Sequence, residues 1–305
     1  AARTLLPVEV DAEITLEANP GTFEQAKFRA FREAGVNRLS VGIQSFDDER
    51  LAAIGRVHGG DEAKRAARIA VETFGRVNLD LMYALPGQDA AGALADITEA
   101  LAYGPEHLSA YHLTIEPNTL FHRHPPVLPD DDASSDIEEA VEAALARAGY
   151  EHYETSAYAK PGARARHNVN YWRFGDYLGI GAGAHSKLSF PDRVVREMRF
   201  KQPRAYQEGA MAGAAIQSTH DVPAADLPFE FAMNALRLAD GFALALFTER
   251  TGLSAAAIEA PLARAEALGL VERDAFCVRP TPRGRRFLND LLGLFVPEAQ
   301  PPQKG

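Results

Sequence analysis

Strand-like segments alternate with helical segments along the first 120 residues of this 305-residue chain. Four short apolar segments, at residues 13–17, 38–44, 77–85 and 107–115, are separated by stretches with helical periodicity. Such an alternation is typical of parallel strands joined by right-handed crossovers. The near-continuous apolar character of the segments indicates strands that are buried on both faces. The sequence therefore predicts an α/β fold built around a parallel sheet.

Polar residues stand near the carboxyl ends of these four segments: Glu17, Gln44, Asp80 and Thr114. Ligand sites of parallel α/β folds lie at this end of the strands, so we expect the four side chains to converge. Arg56 follows the second segment and offers a guanidinium that can pair with a ligand carboxylate. Glu17 can equally cap backbone amides, and Arg56 can be a surface cation. Asp80 differs from both, because a carboxylate inside an apolar strand requires a partner.

A second group of polar and aromatic residues, HNVNYW, spans residues 167–172 and contains the only tryptophan of the chain. An imidazole beside aromatic rings suits a metal-bearing macrocycle or another planar ligand. In the alternative interpretation, His167 bonds the backbone of a loop and Trp172 packs in the core, and the residues alone favour this alternative. The glycine-rich residues 179–186 (GIGAGAHS) permit close approach of a ligand, but they equally suit a tight bend in a strand.

Charge and composition restrict the partners of the chain. The 42 acidic and 32 basic residues give a net charge of −10, which argues against wholesale binding to nucleic acid or to an anionic membrane. The sequence contains no apolar run long enough for a membrane span and no signal-peptide pattern, so we expect a cytoplasmic protein. Cys277 is the single cysteine, which excludes an internal disulfide and an iron–sulfur cluster held by this chain's thiolates alone.

The residues from 223 onward show the helix, helix and hairpin pattern of a winged helix, which serves either as a packing domain or as a DNA-binding domain. The helix predicted at residues 255–268 offers one cation, Arg264, against Glu259 and Glu266. Contact with DNA would then depend on the basic run at residues 283–286. Nucleic acid is therefore not an expected partner.

Six segments occur in the same order as in a known family: EITLEANPGTF (13–23), NRLSVGIQSF (37–46), NLDLMYALPGQ (78–88), HLSAYHLTIEPNTLF (107–121), HNVNYW (167–172) and YLGIGAGAHS (177–186). Together they resemble the HemW-type haem chaperones of the radical S-adenosylmethionine superfamily. Members of this group are often described as oxygen-independent coproporphyrinogen III oxidase-like. The resemblance covers nearly the whole chain.

The resemblance implies a partial parallel (β/α) barrel in residues 1–124, a family-specific extension with the HNVNYW motif in 125–222, a winged-helix-like domain in 223–296 and a disordered tail in 297–305. It implies a set of side chains that hold S-adenosylmethionine: Glu17, Gln44, Arg56, Asp80, Thr114 and His185. It also marks a haem-contacting set, with its first member as candidate axial ligand: His167, Asn168, Tyr171 and Trp172. For His167, the resemblance thus reverses the preference drawn from the residues alone.

The family pattern begins with C-x-x-x-C-x-x-C, whose thiolates hold a [4Fe–4S] cluster, and this sequence contains no such segment. The simplest expectation is a family member truncated ahead of Ala1, which cannot hold the cluster or cleave S-adenosylmethionine by itself. The implied function is haem binding and delivery to recipient haemoproteins. Two alternatives stay open, an oxygen-independent coproporphyrinogen III oxidase of porphyrin biosynthesis and a ligand-sensing winged-helix regulator.

Overall fold

The strand–helix alternation builds a six-stranded sheet in the computed structural model, which describes residues 2–22 and 25–297. The chain divides into two compact units, Ala1–Arg166 and His167–Gly305, and this sheet lies in the first. The finer division at residues 124, 222 and 296 stays a prediction, and the predicted tail lies outside the described residues from 298 onward.

The first unit contains eight helical segments and six strands in the described residues. In chain order they are α1 (Ala2–Leu5), β1 (Thr15–Ala18), the short 3-10 helix Pro20–Thr22, α2 (Gln25–Glu33), β2 (Arg38–Gln44), α3 (Asp48–Ala53), α4 (Gly60–Thr73), β3 (Arg76–Tyr83), α5 (Ala90–Ala102), β4 (His107–His112), α6 (Leu120–Arg123), α7 (Asp131–Arg147), β5 (Glu151–Glu154) and β6 (Ala157–Ala159). The strand order is β1-β2-β3-β4-β6-β5. Strands β1 to β4 run parallel, as predicted, and β5 and β6 extend the sheet in the antiparallel sense.

One face of this sheet is apolar and packs against helices. Its strand residues are fully buried, and so are the alanines of α4 that cover them: Leu39, Val41, Ile43, Leu79, Leu81, Leu108, Ala63, Ala66, Ala67 and Ala70. Small alanine side chains let α4 lie close to the strands. Each fully buried Leu or Ile contributes about 1.5–3 kcal/mol relative to an exposed one, so this face is the main source of stability for the unit.

The opposite face of the sheet is buried but polar. Arg38, Ser40, Asn78, His107 and Ser109 lie on it, and each is at most 7% exposed. The strands are therefore buried on both faces, as predicted, but the prediction of apolar strands is wrong for this face. Alternate residues of a strand point to opposite sides, so short polar residues among the apolar ones collect on one side.

Helix α8 (Arg166–Trp172) leads into the second unit, whose remaining elements are β7 (His185–Ser189), β8 (Val194–Arg199), α9 (Pro203–Met211), β9 (Ile216–Asp221), α10 (Leu227–Ala235), β10 (Phe242–Ala243), α11 (Leu244–Thr251), α12 (Ala256–Ala267), β11 (Val271–Arg273), β12 (Cys277–Pro280), α13 (Pro282–Arg286) and α14 (Leu288–Gly293). Strands β7, β8 and β9 form one antiparallel sheet, and β10, β12 and β11 form another.

The carboxy-terminal part has the helix, helix and hairpin order of a winged helix. Arg273 of the hairpin donates to Glu259 and Glu266 of α12, with both distances at 2.9 Å. These two ion pairs occupy the Arg273 guanidinium, which lies beside α12. Cys277 lies partly buried in β12. Among the described residues, no helix combines the length and apolar character that a membrane crossing requires.

Candidate ligand sites

The polar face of the first sheet carries rows of side chains, because the strand register aligns every second residue of neighbouring strands. One row contains Glu17, Ser40, Asn78 and His107, and the next row toward the carboxyl ends contains Asp80 and Ser109. The two predicted carboxylates, Glu17 and Asp80, therefore lie on one face in neighbouring rows. The sequence analysis did not select Ser40, Asn78 and His107, although their two-residue spacing was the signal that could have found them.

Asp80 is oriented by hydrogen bonds from Ser40, Asn78 and Ser109. The hydroxyl of Ser40 donates to Oδ2 at 3.0 Å, and the Nδ2 group of Asn78 donates to Oδ1 at 2.8 Å. Burial raises the pKa of Asp80, these hydrogen bonds oppose the rise, and the negative charge of Glu17 adds to it. These hydrogen bonds hold the Asp80 side chain in place.

Glu17 is exposed and, within the described part of the chain, forms neither an ion pair nor a side-chain hydrogen bond. Asp80 also lacks an ion pair among those residues. Two nearby carboxylates without an ion-paired cation favour a ligand that brings positive charge or hydroxyl donors to them. An ammonium group or a ribose meets that requirement.

Gln44 ends β2 in a left-handed backbone conformation, with φ of 67°. Its side chain lies beside Gly42, where an added Cβ would stand 2.9 Å from Gln44 Nε2 and 3.3 Å from Asn19 Oδ1. Only a glycine leaves room for both amides on this face. Gln44 therefore lies at the carboxyl end of β2.

Buried Asp96 of α5 holds the loops that follow β2 and β3. It accepts hydrogen bonds from the Ser45 hydroxyl and the Phe46 amide, both at 2.8 Å, and from Gln88 Nε2 at 3.3 Å. Burial raises the pKa of Asp96. The sequence analysis did not select Asp96. A carboxylate on the inward side of a helix rich in alanine was the signal that could have found it.

Arg56 lies in the loop between α3 and α4, and this loop returns to the carboxyl end of β2. His58, which is 4% exposed, donates from Nε2 to the Ile43 carbonyl at 3.1 Å and so tethers the loop. Among the described residues Arg56 forms no ion pair. Its guanidinium is therefore available to a ligand carboxylate.

Besides Arg56, two further members of the predicted set lie off the strands of this sheet. Strand β4 ends at His112, where it pairs with the last residue of β3, so Thr114 follows the strand and is exposed. His185 is the first residue of β7 in the second unit. A shared site for His185 and the other five residues stays a prediction.

The HNVNYW residues form most of helix α8, whereas the alternative interpretation of the sequence placed them in a loop. Asn170 lies in the last turn of the helix, and its Nδ2 donates to the carbonyl of Asp176 at 3.0 Å. Gly175 packs on Asn170, and an added Cβ there would lie 2.1 Å from Asn170 Oδ1. His167 and Asn168 are partly buried at the amino end of the helix.

Tyr171 and Trp172, at the carboxyl end of α8, line a cavity of about 180 Å³. Tyr171 meets Tyr177 edge to face with ring centroids 4.7 Å apart, and Arg237 lies over the Trp172 ring at 5.0 Å. The cavity also contacts Lys187, whose ammonium pairs with Asp176 at 2.9 Å and is otherwise buried. Aromatic rings thus line this cavity, and such rings are a feature that a planar ligand needs.

The glycine run at residues 179–186 has an internal explanation in the structure. An added Cβ at Gly179 would stand 2.2 Å from the His185 carbonyl oxygen, so close packing against β7 requires glycine there. Gly181 and Gly183 have φ values of 118° and 74°, a region that only glycine adopts at little cost. The tight bend is therefore sufficient to account for the pattern.

Two family models match the chain. The model of the radical SAM superfamily matches residues 2–97, and the model of the HemN C-terminal domain matches residues 222–287. Both matches fall where the sequence analysis expected related segments.

Two curated relatives carry the name heme chaperone HemW. The Escherichia coli K12 protein is 51% identical over 97% of this chain and 78% of its own length. The Haemophilus influenzae protein is 46% identical over 95% of this chain and 75% of its own length. The solved structure of the Escherichia coli coproporphyrinogen III oxidase HemN, described as a radical SAM enzyme, superposes with a TM-score of 0.76. That match covers 94% of this chain and 70% of HemN at 22% identity, which supports a shared fold alone.

Proposed function

This chain belongs to the HemW family of heme chaperones within the radical SAM superfamily, and from that membership we propose that it binds haem and S-adenosylmethionine and passes haem to recipient haemoproteins in the cytoplasm. One structural observation carries the proposal for S-adenosylmethionine: Glu17 and Asp80 stand together on a polar sheet face without an ion-paired cation.

The residues present fit S-adenosylmethionine by the chemistry of their donors and acceptors. Glu17 and Asp80 accept hydrogen bonds from the ammonium group or the ribose hydroxyls, and Arg56 donates to the methionine carboxylate. Gln44 supplies a neutral amide at the carboxyl edge of the same face. When bound, S-adenosylmethionine supplies a reactive sulfonium. This chain's own residues orient the ligand and balance its charges.

The residues present do not fit a [4Fe–4S] cluster. Such a cluster needs three or four thiolates, and Cys277 is the only cysteine in this sequence. In the part of the chain that the structure describes, no group of three His, Cys, Asp or Glu side chains has the arrangement for a metal ion. We therefore assign no step that passes through a cluster to these residues.

Haem is the cargo in this proposal, and helix α8 is its proposed contact. His167 supplies an imidazole as candidate axial ligand, with Asn168 beside it. Tyr171 and Trp172 supply aromatic faces one to two turns further along the helix. The names of the two curated relatives and the presence of this motif support the assignment.

Replacing His167 with alanine tests the haem proposal. We expect the unchanged protein to bind haemin with a shifted Soret band, and His167→Ala to lose that shift and bind about tenfold more weakly, about 1.4 kcal/mol. The matched control is His220→Ala, which removes an exposed imidazole from β9 in the same unit. The measurement is an absorbance titration of all three proteins.

The outcomes separate the parts of the proposal. An unchanged Soret band in His167→Ala would remove His167 as axial ligand. Absence of haemin binding by the unchanged protein would contradict haem transport by this chain. Decarboxylation of coproporphyrinogen III in a reducing assay would instead favour the oxidase interpretation.

A further inference from the structure

A chain of buried hydrogen bonds runs from Asp80 across the polar face to the backbone of Ala165. Its links are Asp80 to Asn78 at 2.8 Å, Asn78 to His107 at 2.7 Å, His107 to Tyr153 at 2.8 Å and Tyr153 to Ala165 at 3.4 Å. Asn78, His107 and Tyr153 are each at most 3% exposed. Water therefore does not compete for these bonds, and each lost bond leaves a buried polar atom unsatisfied.

The donor and acceptor capacity of each side chain sets the direction of every bond in this chain of hydrogen bonds, beginning with the ionised form of Asp80 that a cationic ligand requires. A carboxylate only accepts, so the Asn78 Nδ2 group faces Asp80 and the Asn78 carbonyl oxygen faces His107. That oxygen also only accepts, so the proton of His107 resides on Nδ1. Nε2 of the neutral ring then accepts from the Tyr153 hydroxyl, whose oxygen accepts from the N–H of Ala165.

The far end of this chain of hydrogen bonds, at Ala165, lies directly before the proposed haem-contacting helix. Ala165 precedes His167 by two positions. The same segment is fixed by a second set of bonds, since Arg76 donates to the carbonyls of Ala163 and Arg164 at 3.5 and 3.4 Å. Glu13 accepts from the Arg166 amide at 3.0 Å. The entry to α8 is thus held to the polar face of the first sheet.

We propose that His107 and Tyr153 are positioning residues for the S-adenosylmethionine site, holding Asn78 so that the Asp80 lone pairs point along the polar face toward the ligand. This inference rests on the proposed function, because Asp80 is taken as a ligand-binding group. Neither residue touches the ligand. These hydrogen bonds fix the orientation of the Asp80 carboxylate from behind. Residues that hydrogen-bond to a metal ligand or to a catalytic imidazole orient that group in the same way.

The physical reason is the small number of groups that hold Asp80. Besides the hydrogen bond from Asn78, Asp80 accepts one from Ser40 at 3.0 Å and one from Ser109. The Asn78 amide keeps its orientation only while both of its ends are engaged, and its Nδ2 group also donates to the Ser40 hydroxyl at 2.8 Å. Its oxygen accepts from His107 at 2.7 Å and from the Ser109 hydroxyl at 3.2 Å, so His107 supplies the shorter of the two bonds at the oxygen end. The charged or titratable groups that face Asp80 are Glu17, Arg38 and Tyr111, and none of them fixes that amide.

The experiment compares Tyr153→Phe with Tyr150→Phe. Each substitution removes one buried hydroxyl from the first unit. The Tyr150 hydroxyl, however, donates to the Pro105 carbonyl, which is not part of the chain of hydrogen bonds from Asp80 to Ala165. Calorimetric titration with S-adenosylmethionine should show about tenfold weaker binding in Tyr153→Phe and unchanged binding in Tyr150→Phe. His107→Gln is the second variant and should match Tyr153→Phe. Equal affinities of Tyr153→Phe and Tyr150→Phe would overturn the proposal.

Nuclear magnetic resonance tests the same inference in the ligand-free protein. Nitrogen shifts should show His107 neutral with its proton on Nδ1, and carboxyl carbon shifts should show a higher pKa for Asp80 in Tyr153→Phe than in the unchanged protein. A proton on Nε2 of His107, or an unchanged Asp80 titration, would overturn the positioning role. Failure of the unchanged protein to bind S-adenosylmethionine would instead contradict the proposed function, so the two failures are distinguishable.

Discussion

Replacing Asp80 with asparagine is expected to weaken S-adenosylmethionine binding about 100-fold, about 2.7 kcal/mol, while raising the thermal stability of the first unit. Binding weakens because asparagine removes the negative charge that faces the ligand cation. Stability rises because burial disfavours the ionised carboxylate, as the raised pKa of Asp80 shows. In a unit of this size, a gain of about 1 kcal/mol in the free energy of unfolding raises Tm by about 2–4 °C.

The pH dependence of Asp80 has opposite signs for stability and for binding. A raised pKa in the folded protein means that protonated Asp80 stabilises the fold below the ordinary aspartate pKa of about 3.9, and that this stability is lost as pH rises through the folded pKa. Binding of a cation needs the ionised form. We therefore expect affinity to fall on acidification at a pH above the ordinary aspartate range.

Glu17→Gln is the matched control for Asp80→Asn. Glu17 is exposed and lacks partners among the described residues, so its replacement should weaken binding without raising Tm. Calorimetric titration and thermal unfolding of both variants separate the two effects. A lower Tm in Asp80→Asn would show that the hydrogen bonds of the Asp80 carboxylate outweigh the burial of its charge.

Replacing Phe231 with alanine is expected to cost the second unit about 3–5 kcal/mol of unfolding free energy. Phe231 is 1% exposed and meets Phe174, Phe242 and Phe247 edge to face, with centroid distances of 5.8, 5.0 and 5.2 Å. Truncation leaves a cavity among three rings that cannot all move inward. Phe174 lies in the turn after α8, so the loss also loosens the end of the helix proposed to contact haem.

Trp172 is the only tryptophan of the chain and lies in the second unit, so its fluorescence reports this unfolding in urea. Phe276→Ala is the control, since Phe276 is 77% exposed in the hairpin and its removal should change stability by about 0.5 kcal/mol or less. A loss below about 1 kcal/mol in Phe231→Ala would mean that the surrounding rings close the gap.

Sequence reasoning selected Glu17 and Asp80 because a charged residue within or beside an apolar strand is recognisable from the sequence alone. It did not select Asn78, His107 or Tyr153, because each is unremarkable alone. Their importance depends on which residue of the next strand lies opposite. Tyr153 reaches the polar face through β5, which joins the sheet beyond the last parallel strand.

The sequence by itself determined the class of the first unit, the parallel sense of its first four strands and the family to which the chain belongs, because periodicity and motif order are local properties of the chain. Only the tertiary structure decided that one strand face is polar, that His58 ties the Arg56 loop to β2 and that Asp80 is linked to Ala165. Hydrogen bonds between residues 29 and 46 positions apart, such as those of His107, depend on strand register. Register follows from the packing of the whole sheet, which no single segment specifies.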